Sequence, residues 1–140
     1  MKTAAKGKIL VVDDSSSALN LTRHALEGAG YNVLTKREAV LVSHTILHES
    51  PDIVLLDVNM PAVSGDKLVE IIRGHPANAG SLLLLYSSKP ADELEALVRA
   101  CGADGFIQKG PDANLLARQI DMWMGRREKL TGDRARTDAG

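Results

Sequence analysis

The sequence predicts an alternating α/β domain: a parallel five-stranded sheet with five helices covering its two faces. Three observations carry this. Five short runs rich in Val, Ile and Leu recur along the chain, five amphipathic stretches follow them, and Gly, Pro, Ser or Asp stand at most of the junctions. Strands buried on both faces read as unbroken apolar runs, and strict strand–helix alternation implies parallel pairing through crossovers.

The first strand, Ile9–Val12, leads to a helix over Ser16–Glu27 that Ser15 or Ser16 can cap and Gly28 and Gly30 end. Leu19, Thr22, Ala25 and Leu26 share one face of that helix. The second strand is Asn32–Thr35, followed by Glu38–His48 with Val42, Ile46 and Leu47 as its apolar face. The third strand, Ile53–Leu56, precedes Asp66–Arg73, which presents Leu68, Val69, Ile71 and Ile72. The fourth, Leu82–Tyr86, precedes Ala91–Ala100, a helix started by Pro90, stopped by Gly102 and buried through Leu94, Leu97 and Val98. The fifth, Gly105–Gln108, precedes Asn114–Met124, which Asp112 caps and which packs through Leu115, Ile120 and Trp123. Residues 1–7 read as a lead-in, 8–127 as the domain and 128–140 as a flexible tail. From Arg126 onward Leu130 is the one large aliphatic residue, too little to offset the entropy of ordering.

Composition narrows the function classes. A chain of 140 residues is one domain's length, and 44% apolar with 25% charged residues excludes a mainly disordered protein. The formal net charge of -1 points to neither nucleic acid nor an anionic membrane as partner. The longest apolar run, Leu82–Tyr86, is far short of the roughly 20 residues that span a bilayer, and no signal-peptide core is present. A cytoplasmic location is expected, and the single Cys101 fits a reducing compartment.

In a parallel sheet all carboxyl-terminal strand ends lie on one edge, where ligands bind. Asp13 and Asp14 follow the first strand, Asp57 the third, Ser87 and Ser88 the fourth, and Lys109 the fifth; Thr35-Lys36 after the second offers no obvious candidate. Each has an ordinary reading alone: Asp13-Asp14 as helix caps, Ser87-Ser88 as turn residues before Pro90, Lys109 as a solvated strand end. Their coincidence on one edge outweighs those readings. Two carboxylates about 5 Å apart repel by roughly 3 kcal/mol at an effective dielectric near 20. Three carboxylates against one lysine leave an excess of negative charge that a hard divalent cation such as Mg²⁺ neutralises. A cation beside a lysine and a hydroxyl is equipment for a phosphoryl group, yet no Gly-rich nucleotide loop is present. The acceptor is then a carboxylate of the chain itself, forming an acyl phosphate. His44 and His48, four apart on one predicted helix, permit a metal pair but are weighted as surface residues.

Four segments together resemble the response regulator receiver domain family, whose best-known member is the single-domain chemotaxis regulator. They are Val11-Val12-Asp13-Asp14, Leu55-Leu56-Asp57-Val58-Asn59-Met60-Pro61-Ala62-Val63-Ser64-Gly65, Ser87-Ser88 and Phe106-Ile107-Gln108-Lys109, and the resemblance covers Lys8 to Trp123. It implies a flavodoxin-like doubly wound sheet of order 2-1-3-4-5. It implies that Asp57 accepts a phosphoryl group from a phosphohistidine on a sensor histidine kinase or histidine phosphotransfer protein. Asp13, Asp14, Asp57 and the backbone carbonyl of Asn59 would hold Mg²⁺, Lys109 would pair with a phosphoryl oxygen, and Ser87 and Phe106 would form the switch. No external substrate is turned over, so the chain is not expected to be an enzyme beyond its own phosphorylation and dephosphorylation. With fewer than twenty residues after the fifth helix, output is expected as a protein contact through the fourth helix, fifth strand and fifth helix, from a monomer or weak homodimer. A pseudo-receiver, binding partners constitutively without phosphorylation, is the alternative. A phosphohydrolase is disfavoured because position 59 is Asn rather than a second acidic group. The chain departs from the family pattern in five places: Gly110 separates Lys109 from Pro111, Ser87 replaces the commoner threonine, Ser88 stands where a smaller residue is common, Phe106 lacks the hydroxyl of tyrosine, and Lys89 adds charge at the mouth.

Overall fold

The computed structural model describes residues 5–75 and 80–139, with residues 133–139 as backbone alone. The elements run β1 (Lys8–Val12), α1 (Ser16–Gly28), β2 (Asn32–Lys36), α2 (Val42–Glu49), β3 (Ile53–Asp57), α3 (Gly65–Arg73), β4 (Leu82–Ser87), α4 (Ala91–Cys101), β5 (Gly105–Gln108) and α5 (Ala113–Ala139). The strands form one parallel sheet of order β2-β1-β3-β4-β5, as the resemblance implies.

Side-chain alternation along each strand divides the core in two. Leu10, Val12, Val54, Leu56, Leu83 and Leu85 pack with Val42 and Ile46 of α2, Leu68, Val69 and Ile72 of α3, and Leu94 of α4. Ile9, Val11, Ile53, Leu55, Leu82, Leu84 and Ile107 pack with Leu19 and Leu26 of α1 and Leu116 and Ile120 of α5. β3 and β4 are fully covered, which is why they read as unbroken apolar runs.

Helix punctuation follows the predicted residues. The Ser15 hydroxyl accepts from the Ala18 N–H to cap α1, and Gly102 closes α4 at a φ of 86°. Pro90 sits one place before the first turn of α4, and Asp112 accepts from the Asn114 N–H at the start of α5. Three expected core positions differ. Leu47, Ile71 and Leu115 are about half exposed, whereas Leu116 is buried. Each lies one position off the true stripe, an error that adjacent apolar residues invite when a helical face is read from periodicity. α2 is also shorter than expected, because Leu41 adopts a left-handed conformation (φ 62°) that breaks the helix before Val42.

The largest correction concerns the tail. Helix α5 does not fray at residue 128 but continues to Ala139. Burial is not what carries it. Arg127 pairs with Asp52 at 3.2 Å and donates to the Gly80 carbonyl at 2.9 Å, pinning the helix to the amino-terminal edge of the sheet. Beyond that anchor Arg, Lys, Glu and Ala are good helix formers, and extending an existing helix costs far less than nucleating one. At the other end, Lys6 donates to Gly30 and Gly7 accepts from Asn32, so the last residues of the lead-in already pair; residues 1–4 lie outside the described residues.

Two glycines are required by close approach. A Cβ on Gly105 would lie 2.4 Å from the Trp123 ring, which covers the start of β5. A Cβ on Gly65 would come within 2.5 Å of the Asp57 carbonyl oxygen, so α3 starts against the end of β3 only because position 65 has no side chain. Gly65→Ala should lower stability by roughly 1–3 kcal/mol, because the opposing atoms are backbone and cannot step aside. The urea midpoint measures this, and backbone amide shifts in Asp57–Asn59 should move with it.

Candidate functional site

Strand register builds the site. Val12 is paired with Leu56, so the next residues, Asp13 and Asp57, emerge side by side from adjacent strands. Asp57 is paired with Tyr86 and Ser87 with Gln108, which brings Ser87 and Lys109 to the same edge. The backbone hydrogen bond from Lys109 to the Ser87 carbonyl, 2.7 Å, fixes that last junction. Asp57, Ser87 and Phe106 are therefore placed by sheet pairing itself, and Asp13 and Lys109 by the residue before them, whereas Asp14 and Asn59 lie in the loops beyond.

One carboxylate oxygen from each of Asp13, Asp14 and Asp57 lies within 4.8 Å of the others. Asp13 and Asp57 are buried, at 2% and 5% exposure, while Asp14 is partly open to solvent. The Lys109 ammonium is 2.9 Å from Asp13 and 3.8 Å from Asp57. Backbone amides hold the carboxylates in orientation: Ser15 N–H donates to Asp13 Oδ1 and Asn59 N–H to Asp57 Oδ1, at 3.0 and 3.1 Å. Asn59 thus touches the site through its backbone, while its side chain is exposed. Three carboxylates and one ammonium leave an unbalanced negative charge in a half-buried pocket.

The titration behaviour of the groups reflects that crowding. Burial pushes the Asp57 carboxyl above the usual carboxylate range; the Asn59 N–H and Lys109 pull it down, and Asp13 adds to the rise. Burial alone would favour the neutral Lys109 amine, but Asp13 and Asp57 together hold its pKa above the ordinary lysine value. Burial likewise raises the Tyr86 phenol. The donor set, three hard carboxylate oxygens with solvent on one side, suits a small hard dication.

Ser87 is 1% exposed, and its Oγ accepts from the Lys89 N–H at 3.1 Å, so the hydroxyl's own proton is not spent on that bond. Ser87 continues the alternation of Leu83 and Leu85, and half-buried Phe106 packs against the same cluster. Asp57, Tyr86 and Lys109 belong to the opposite alternation, shared with α1 and α5. The site is therefore split by the sheet: the charges lie toward one face, the expected switch pair toward the other.

Sequence reading missed three contributors. Arg37 donates to the Asp14 carbonyl at 3.3 and 3.4 Å, from the loop after β2 where no candidate was found. Gln108 ties the loop after β4 to β5 by donating to the Lys89 carbonyl at 2.9 Å. The Tyr86 ring lies under the Lys109 ammonium, 5.1 Å from ring centre to nitrogen. Only the last had a signal, a residue neighbouring Ser87 that alternation turns toward Lys109. His44 and His48 are exposed and meet edge-on, and Cys101 is the buried last residue of α4.

The model of the response regulator receiver domain family matches residues 9–121. The chain belongs to that family. Among relatives of this receiver domain, the transcriptional regulatory protein YxdJ of Bacillus subtilis is 31% identical over 102 residues, covering 73% of this chain and 43% of YxdJ. The CAI-1 autoinducer sensor kinase/phosphatase CqsS of Vibrio cholerae is 29% identical over 124 residues, 88% of this chain and 18% of CqsS. The receiver chain thus spans less than half the length of either. The solved structure of the chemotaxis protein CheY4 of Vibrio cholerae superposes with a TM-score of 0.76 at 27% identity, covering 84% of this chain and 98% of that one. Among the described residues no helix is long and apolar enough to cross a membrane.

Because the folded Asp57 carboxyl titrates above its unfolded value, the fold disfavours its ionised form. Its contribution to stability is full below the unfolded pKa and is lost as pH rises through the folded one. In metal-free buffer, Asp57→Asn should be more stable than the wild type at neutral pH. The difference should close as the pH is stepped into the acid range, as read from urea midpoints with a chelator present.

Proposed function

We propose that the chain is a phosphoacceptor response regulator that takes a phosphoryl group onto Asp57 from a phosphohistidine of a sensor histidine kinase or histidine phosphotransfer protein. The observation that carries this reading is the cluster of Asp13, Asp14 and Asp57 around one lysine, at the edge where this family's fold leaves its strand ends open.

Asp13, Asp14, Asp57 and the Asn59 carbonyl would hold Mg²⁺, which when bound neutralises charge on the phosphoryl oxygens. The remaining work falls to the chain. Asn59 N–H holds Oδ1 of Asp57, which leaves Oδ2 to attack phosphorus as the phosphorus–nitrogen bond of the donor breaks. Lys109, kept cationic by Asp13 and Asp57, meets the incoming phosphoryl oxygens. Ser87 then turns its free hydroxyl proton toward the new group, a charge-assisted bond worth about 1.5–3 kcal/mol. Its movement opens room on the face it shares with Phe106, whose further burial adds about 1.5–3 kcal/mol. Together these approach the roughly 5.5 kcal/mol that inverts a 1:99 equilibrium. Output would pass through the surface of α4, β5 and α5 as a protein contact. A constitutive module without phosphorylation has less support, because each group required for acceptance is present at this edge.

Millimolar Mg²⁺ should raise the melting temperature, since a ligand bound only by the folded state at a hundred times its Kd adds about 2.7 kcal/mol. Asp14→Ala should remove that response; a wild type indifferent to Mg²⁺ would refute the metal assignment. With acetyl phosphate and Mg²⁺, intact-mass spectrometry should show one hydroxylamine-labile phosphoryl adduct on the wild type and none on Asp57→Asn. Ser87→Ala should still be labelled, yet its Phe106 ring resonances should no longer shift on labelling. Unchanged Phe106 behaviour in that variant would show that the signal leaves the pocket by another route.

A further inference from the structure

The contact between Tyr86 and Lys109 lies outside the roles given above. Lys109 is held on its polar side by Asp13 at 2.9 Å and Asp57 at 3.8 Å. Its other side faces a cavity of about 260 Å³ between α1 and the loop leading to α5, lined by Ala18, Thr22, Gly110, Pro111 and Leu116. Beneath the ammonium lies the Tyr86 ring, 5.1 Å from it and itself 8% exposed. A buried aromatic face attracts a cation and, being fixed in the sheet, does so without loss of freedom of its own.

We propose that Tyr86 is a positioning residue: its ring seats the Lys109 ammonium between Asp13 and Asp57 and keeps the side chain from falling into the cavity beside it. The ring is supplied by strand pairing, since Tyr86 is the direct β4 partner of Asp57. The ring face, not the phenol, is the functional part. Phenylalanine should therefore serve at this position and an aliphatic residue of similar bulk should not.

This inference rests on the phosphoacceptor reading for its consequence but not for its geometry, and the two are tested separately. The ε-methylene protons of Lys109, over the ring, should resonate upfield of ordinary lysine values in the wild type, without phosphodonor or metal. Tyr86→Leu should return them to ordinary values, and Tyr86→Phe should retain the upfield shift. In the presence of acetyl phosphate and Mg²⁺, Tyr86→Leu should be labelled about two- to fivefold more slowly than the wild type, the rate equivalent of a partly exposed cation–π contact. Tyr86→Phe should recover most of that loss. Comparable melting temperatures for the two variants keep general destabilisation from mimicking the effect; if Leu unfolds, Tyr86→Met replaces it. Lys109 resonances that are the same in the Leu or Met variant as in Phe overturn the proposal. Equal labelling rates in the aliphatic and Phe variants also overturn it. A wild type that accepts no phosphoryl group refutes the Asp57 reading, while the resonances still decide whether the ring seats the lysine.

Discussion

The parallel register of β1 against β3, imposed by the burial of every residue in them but Lys8, is the constraint on which the upper edge of the molecule depends. Ile9, Leu10, Val12, Ile53, Val54 and Leu56 have no exposed surface, so a one-residue slip would exchange the side chains packed on α1 and α5 with those packed on α2, α3 and α4. That register sets Asp13 beside Asp57 whether or not their charges favour it. Core packing therefore holds together an acidic cluster that electrostatics alone would disperse. The folded chain stores an unfavourable arrangement, which a cation or a phosphoryl group can relieve.

The same alternation divides the residues of the upper edge between the two faces of the sheet. Asp57 and Lys109 share one face with α1 and α5, whereas Ser87 and Phe106 share the other with α3 and α4. A residue at a strand end can change sides only by moving the loop beyond it. The loop after β4 is held at two points: the Lys89 N–H donates to Ser87 and the Lys89 carbonyl accepts from Gln108. The Lys89 bond uses a lone pair of the Ser87 oxygen and leaves its proton free, so the hydroxyl is anchored and still able to donate.

Most of this was legible in the sequence because it is encoded in local pattern. Apolar runs such as Ile53-Val54-Leu55-Leu56 mark strands, and the residues just after them are placed by topology. Asp13, Asp57, Ser87 and Lys109 could therefore be set on one edge before any contact was known. What escaped depends on distant partners. The continuation of α5 rests on Arg127 reaching Asp52, a contact invisible to composition. Arg37 reaches the Asp14 carbonyl across the gap between two loops, a contact that no local pattern records. Leu115 and Leu116 are chemically alike, and only the helix's rotation against the sheet chooses between them.

The packing of Trp123 across Gly105 gives the molecule an intrinsic optical reporter. It is the chain's single tryptophan, its ring lies against the first residue of β5, and the Arg126 guanidinium sits 5.5 Å from its centre. Emission from that indole therefore originates at one place, one residue before Phe106 and four before Lys109. Rearrangement of β5 against α5 would change the indole's contact with Gly105 and with solvent. Fluorescence of the unlabelled protein can thus follow this strand in real time, with no background from a second site.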